Sequence, residues 1–390
     1  MEQFRITGGT PLKGELPISG AKNSVLPLLA STVLFRKGAI IHGCPKISDV
    51  DAAIDILNAL GCCVRRIGDS IYVSSESLTR NTITENQMKS MRSSILFLGP
   101  LLARTGSCTF CQPGGCCLGD RPIDLHIAGL RKMGADLCDD NGGLICCGKL
   151  KGKTIVLPFP SVGATENLVM AALGAQGTTT LCNVAKEPEI GDLIRFLNLG
   201  GAHISGGGTS VLQIQGGFPD FCEYRVMPDR MEAATYLAAT VATSGNVLLK
   251  DIDPCLLAPV LLKYRQAGCK LRLERDKIYL KAPGRVGSCG LIRTAPYPGF
   301  PTDAQAPVMA SLLKSDGVTV FDETVFTSRY RHVPALLEMG GDIKVGSSLA
   351  FLTGCERIKG ARMTATDLRG GAAMVVAALG AEGTSLIDGV

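Results

Sequence analysis

Six glycines divide this 390-residue chain into near-equal parts, and each stands where an apolar run rich in small residues gives way to a β-rich run. They are Gly38, Gly106, Gly177, Gly245, Gly317 and Gly383, separated by 68, 71, 68, 72 and 66 residues. A second glycine trails each of the first five by 23 to 28 residues, after a leucine-rich stretch: Gly61, Gly134, Gly201, Gly268 and Gly340. Glycine after an apolar periodic run is the expected stop of a helix, and Gly177 is read as such a stop. The β-branched TTTLCNV that follows at 178–184 then reads as a strand. A period of about 70 residues exceeds that of solenoids, so the pattern predicts a repeated α/β subdomain rather than a stack. Each unit is read as strand, helix, strand, strand, helix, strand. Six units make two domains of three. The sixth partner glycine falls near position 406, past the last residue, Val390, so the sixth unit is expected to be incomplete.

The predicted first domain covers 22–228 and carries a loop at 111–122; the second takes 1–21 plus 229–390. The segment EYRVMPDR at 223–230 is read as opening the fourth unit. The opening stretch FRITGGTPLKGELPISG belongs to no repeat, and one reading sends it across to complete the second domain. That would leave two connections between domains, a natural hinge.

Bulk composition narrows the classes. Hydrophobic residues at 46% and charged residues at 19% indicate large buried surfaces without long solvated tracts. A net charge of +5 with scattered basic residues and 5% aromatics gives no nucleic-acid platform. No uninterrupted run of about 18 apolar residues suggests a membrane span, and no export signal is visible at the start. The sixteen cysteines are therefore read as reduced, cytoplasmic thiols, many packing as small hydrophobes, as at Cys62-Cys63 and Cys146-Cys147.

The first helix of each unit begins with polar or charged residues foreign to its apolar body: Lys22-Asn23, Arg92, Ser161 to Thr165, Asp229-Arg230, Thr302-Asp303 and Asp367-Arg369. Two explanations stand side by side. Ser, Thr, Asp and Asn cap helices. Lys and Arg oppose the dipole there, and helix N-termini that converge would bind a polyanion. In the loop at 111–122, Pro113-Gly114-Gly115 precedes Cys116 and Cys117, with Arg121 and Asp124 nearby. A cysteine in an electropositive loop is activated as a thiolate. A packed hydrophobic cysteine suits Cys117 better. Zinc is the other competing reading, from Cys108-x2-Cys111, but a second well-spaced ligand pair is absent. No metal or organic cofactor is expected.

The motifs SGAKN at 19–23, MRSS at 91–94, PGGC at 113–116, RPIDLH at 121–126, SVGATEN at 161–167, EPEI at 187–190, RTAPYPGFPTD at 293–303, ETVF at 323–326 and ATDLR at 365–369 occur in this order. Together they closely resemble the UDP-N-acetylglucosamine 1-carboxyvinyltransferase family, the enolpyruvyl transferases of peptidoglycan synthesis. The related 5-enolpyruvylshikimate-3-phosphate synthases share the sixfold fold but differ at the first helix and lack the PGGC loop. The resemblance implies a two-domain inside-out α/β barrel of six units. It implies transfer of enolpyruvate from phosphoenolpyruvate to the sugar 3′-hydroxyl, with phosphate released through a tetrahedral ketal. By the same resemblance Cys116 is the proton donor and the target of fosfomycin, and Asp303 takes the hydroxyl proton. Lys22, Asn23 and Arg121 resemble the phosphoenolpyruvate contacts. Arg92, Arg121, Pro122, Ile123, Asp124, Leu125, Ser161, Val162, Gly163 and Val325 resemble the UDP-sugar contacts, and Arg329, Asp367 and Arg369 join the substrate-binding set. Two departures follow. Some relatives carry lysine where Phe159 aligns, and the family pattern continues past IDGV at 387–390 with an arginine that contacts phosphoenolpyruvate. The alternative is a catalytically impaired UDP-sugar-binding paralogue or a fragment.

Overall fold

The computed structural model describes residues 3–111, 123–140, 143–326 and 328–389, apart from the side chains of Arg92, Cys111, Asp139 and Asp140. The chain folds into two compact units, 1–18 plus 228–390 and 19–227, and passes between them at 18/19 and at 227/228.

Most repeats supply one helix that is buried over nearly all of its length. Val162–Ala172 is buried without interruption from Ala164 to Ala172, Thr302–Ser311 likewise from Ala304 to Ser311, and Arg230–Ala242 is nearly as enclosed. A helix apolar all round belongs inside a domain, not on its surface. In the second unit the helices Arg230–Ala242, Thr302–Ser311 and Leu368–Gly380 pack on one another. Small residues let them approach closely: a Cβ on Gly380 would lie 2.6 Å from the carbonyl oxygen of Ala242. The second helix of each repeat is amphipathic. In Pro188–Leu199 the buried Ile190, Leu193, Ile194 and Leu197 follow i, i+3, i+4, i+7 spacing.

Around these helices stand six sheets, five of four strands and one of three among the described residues. Their pattern recurs. In one, Thr154–Val156 runs parallel to Thr178–Cys182, which pairs antiparallel with Val211–Gln215, which in turn pairs with His203–Ser205. The order within a repeat is therefore strand, helix, strand, helix, strand, strand, which corrects the expected order. The leucine-rich helix comes directly after the second strand, and the last two strands form a hairpin after its glycine stop.

The glycine markers also divide their work differently from expectation. The trailing set are the helix stops. Gly61, Gly134, Gly201, Gly268 and Gly340 have φ between 92° and 103°, and the next N–H bonds five residues back in every case, as from Ala202 to Leu197 at 3.0 Å. The leading set open strands instead. The helix before Gly177 ends at Ala172, and Gly177 immediately precedes the strand Thr178–Cys182; only Gly106 directly follows its helix. Gly245 departs again: Ser244 takes the left-handed turn at φ 53°, and a Cβ on Gly245 would sit 2.2 Å from the carbonyl oxygen of Leu12.

Two strands lie outside their expected repeats. Phe221–Arg225 pairs in parallel with Gly38–His42 and completes the first sheet, so EYRV does not open the fourth unit. Lys13–Pro17 fills that place beside Asn246–Lys250, and Gln3–Thr7 pairs antiparallel with Thr384–Asp388. The cysteine pairs obey strand alternation rather than common burial: Cys62 and Cys146 are buried, whereas Cys63 and Cys147 are exposed.

Candidate active site

The helix starts expected from sequence are found at Lys22, Arg92, Val162, Arg230, Thr302 and Leu368. Three carry the capping alternative. Ser161 Oγ accepts from the N–H of Ala164, Asp229 Oδ1 from Met231 and Glu232, and Asp367 Oδ1 from Arg369 and Gly370, both at 2.9 Å. One oxygen of Asp367 is thus committed to holding its own helix.

In the unit formed by 1–18 and 228–390, Asp303 lies in the first turn of Thr302–Ser311 with both carboxylate oxygens engaged. Oδ1 accepts from Nη2 of Arg329, and Oδ2 from Nη2 of Arg369 at 2.9 Å. The three side chains are 28%, 11% and 17% exposed, so water screens the triad only partly. Burial works against the Asp303 charge, but the guanidiniums of Arg369 and Arg329 outweigh it and hold the carboxyl down at about 2. Arg329 is itself braced: its guanidinium lies over the Phe326 ring, 5.5 Å from the centroid, and its carbonyl meets Nδ1 of the buried His332 at 3.1 Å.

Glu323, which is not among the candidate site residues named above, organises the surroundings of this triad. Its Oε1 accepts from Thr294 Oγ1 at 2.9 Å and from the N–H groups of Val325 and Phe326 at 2.9 and 3.1 Å, while Oε2 accepts from Thr302 Oγ1 at 2.9 Å. One buried carboxylate ties the strand end at Thr294, the helix start beside Asp303 and the backbone of Val325. Its signal in the sequence is the E of ETVF at 323–326, a motif from which the resemblance draws Val325 rather than the carboxylate.

The 19–227 unit holds the other described candidates. Lys22 opens the helix Lys22–Ser31 and pairs with Asp49; Asn23 beside it is exposed. Ile123, Asp124 and Leu125 lie at the start of Asp124–Lys132, which packs against Val162–Ala172, whose own start carries Ser161, Val162 and Gly163. Leu125 and Val162 pack on the hydrophobic core, which leaves their backbone groups as the polar part of that edge. Phe159 is 43% exposed. Cys116, Arg121 and Pro122, with the loop that carries them, lie outside the described residues, and so does the side chain of Arg92.

Fold and sequence comparisons agree on a class. The enolpyruvyl transferase NikO from Streptomyces tendae superposes with a TM-score of 0.88 at 21% identity, covering 98% of this chain and 92% of its own. An EPSP synthase from Acinetobacter baumannii superposes at 0.74 and 18%, covering 99% and 94%. These likenesses define the α/β fold of enolpyruvyl transferases. Residues 6–390 match the family model of EPSP synthase (3-phosphoshikimate 1-carboxyvinyltransferase), and the chain belongs to that family. Among relatives, the UDP-N-acetylglucosamine 1-carboxyvinyltransferase 2 of Caldanaerobacter subterraneus subsp. tengcongensis is 43% identical over 392 residues, covering 100% of this chain and 94% of its own length. The UDP-N-acetylglucosamine 1-carboxyvinyltransferase of Psychrobacter arcticus is 42% identical over 393 residues, covering 100% and 93%. No helix among the described residues is long and apolar enough to cross a membrane.

Proposed function

We propose that this chain transfers the enolpyruvyl group of phosphoenolpyruvate to the 3′-hydroxyl of UDP-N-acetylglucosamine and releases phosphate, in the cytoplasm, as the committed step of peptidoglycan synthesis. Identity of 41–43% across the whole chain to relatives bearing that activity in their names supports the acceptor. The observation that carries the chemistry is the Asp303 carboxylate clamped between Arg329 and Arg369 at a helix start.

The reaction needs a proton delivered to the methylene carbon of phosphoenolpyruvate, a hydroxyl oxygen bonded to the adjacent carbon, and that hydroxyl's proton removed. The resulting ketal then loses phosphate, and a proton leaves the new methyl group to restore the double bond. Asp303 is the base for the hydroxyl. With both guanidiniums on it, the carboxylate is ionised but weakly basic. Phosphoenolpyruvate brings a phosphate and a carboxylate, either of which can engage a guanidinium with two oxygens where Asp303 offers each arginine one. As either guanidinium turns to the substrate, Asp303 loses a stabilising charge and its basicity rises where it is needed. Cys116 supplies the proton to carbon in this reading; Lys22, Asn23 and Arg121 hold phosphoenolpyruvate. Arg92, Pro122, Ile123, Asp124, Leu125, Ser161, Val162, Gly163 and Val325 hold the nucleotide sugar, and Asp367 sets the direction of Arg369.

Phosphate release from phosphoenolpyruvate, measured with UDP-N-acetylglucosamine and separately with shikimate 3-phosphate as acceptor, tests the proposal. Turnover with the nucleotide sugar alone is expected. Turnover with shikimate 3-phosphate, or with neither, refutes it.

A further inference from the structure

Asn167 lies in the body of the apolar Val162–Ala172 helix, fully buried, with every hydrogen-bonding group of its amide engaged. Its Oδ1 accepts from the N–H of Gly99 at 2.5 Å. Its Nδ2 donates to the carbonyl of Ile95 at 2.7 Å and meets Nδ1 of His126 at 2.9 Å. A backbone N–H can only donate, so Gly99 fixes which end of the amide is oxygen. The amide nitrogen therefore faces His126 and donates to Nδ1, which leaves the ring proton on Nε2. No larger residue could stand at 99, since a Cβ there would come within 2.6 Å of Asn167 Oδ1 and 2.2 Å of its carbonyl oxygen.

The far edge of the imidazole makes no hydrogen bond to any described residue, although His126 is only 7% exposed. It points toward Gly163: a Cβ added there would be 3.5 Å from Cε1 and 3.6 Å from Nε2. Gly163 is the second residue of an eleven-residue helix whose accessible first turn offers the N–H groups of Val162 and Gly163, which have no intrahelical acceptor. Burial keeps the ring neutral, pushing it down to about 4 against the pull of Asp124.

We propose that Asn167 is a positioning residue whose amide fixes His126 as the Nε2–H tautomer, so that a neutral ring N–H joins the N–H groups of Val162 and Gly163 in holding an oxyanion of a nucleoside diphosphate. The ligand half of this inference rests on the nucleotide-sugar reading above. The opposite tautomer would present a lone pair to the same oxygen and repel it. The fixed amide prevents that, and neutrality keeps the donor constant through the physiological pH range.

Nitrogen NMR of the full chain reads the tautomer directly, with His126→Gln assigning the ring among the four histidines. A bare Nδ1 and a protonated Nε2 are expected between about pH 6 and pH 8, and a protonated Nδ1 overturns the proposal. In Asn167→Asp the carboxylate accepts from Nδ1, so the proton moves there. Affinity for UDP-N-acetylglucosamine, measured by calorimetry at about pH 8.5, is then expected to fall about tenfold or more. Should that variant fail to fold, His126→Leu removes the donor with Asn167 in place and is expected to show the same loss, whereas His126→Gln keeps an N–H donor and most of the affinity. Undiminished affinity in His126→Leu refutes the proposal alone. A wild-type chain with no affinity for UDP-N-acetylglucosamine overturns the nucleotide-sugar reading itself, together with the ligand half of this inference.

Discussion

Replacing Asp303 by asparagine keeps the shape of the triad and removes the charge between its two arginines. The wild-type carboxyl sits at about 2 against an ordinary 3.8, and burial alone would have moved it the other way. A depressed folded-state value stabilises the protein above the unfolded value and is lost as pH falls through the folded one. The difference corresponds to about 2 kcal/mol at neutral pH, of which roughly half remains at pH 3. Asp303→Asn should therefore unfold in urea with a stability deficit of about 2–3 kcal/mol at pH 7 that shrinks by about 1 kcal/mol at pH 3. The same variant should lose about 10²- to 10⁴-fold in kcat while KM for phosphoenolpyruvate does not rise, because both guanidiniums are released to the substrate anions. A deficit that ignores pH would place the stabilising partners of the arginines elsewhere. A kcat within about tenfold of wild type would remove Asp303 from proton transfer altogether.

Glu323→Ala leaves two backbone N–H groups and two hydroxyls without their acceptor, and should cost about 3 kcal/mol in urea unfolding and raise KM for UDP-N-acetylglucosamine. Glu323→Gln should cost about 1 kcal/mol, since the Thr302 hydroxyl can rotate to accept from the new amide; equal costs would show that charge, not geometry, matters at this position. Gly245→Ala drives a methyl into the Leu12 carbonyl and should lower stability by about 1–3 kcal/mol, whereas Gly106→Ala, strained only in φ, should lower it by about 1 kcal/mol. Fosfomycin should label the chain once, at Cys116, as read by peptide mass spectrometry. Burial raises Cys44 and Cys269 to about 12, so both stay inert, and labelling at an exposed thiol such as Cys63 instead would contradict the assignment.

Much of this architecture is written in the period of the chain. The small-residue runs become largely buried helices because alanine and glycine allow helices to pack closely, and that composition is present in a single sequence. The helix starts were legible for the same reason: a charged residue such as Asp303 or Arg369 interrupts an otherwise apolar stretch. Strand membership was not legible. Nothing in FCEYR or KGELP names the sheet it joins, and only tertiary pairing places Phe221–Arg225 and Lys13–Pro17. The hairpin order is not legible because the glycine spacing is the same whether one short strand stands before or after the leucine-rich helix. The resemblance names Asp303, Arg329 and Arg369 one at a time, but nothing in their spacing states that one carboxylate holds both arginines. Asn167 was visible as the N of SVGATEN, a polar residue inside an apolar helix, but its partners Gly99, Ile95 and His126 lie 41 to 72 positions away.

The pairing of Gln3–Thr7 with Thr384–Asp388 joins residues 385 apart in the sequence, and Lys13–Pro17 must wait for Asn246–Lys250. During synthesis, then, these two strands are made long before the strands they pair with. The continuous 19–227 unit, with its closing strand Phe221–Arg225 near its own end, can assemble while the rest is still being made. The other unit is threaded through two distant stretches of one translation product, and its closure is a late, long-range event of the kind that slows folding. A cell that makes this protein must therefore keep two early-made strands from pairing wrongly until residues 246–250 and 384–388 have been added.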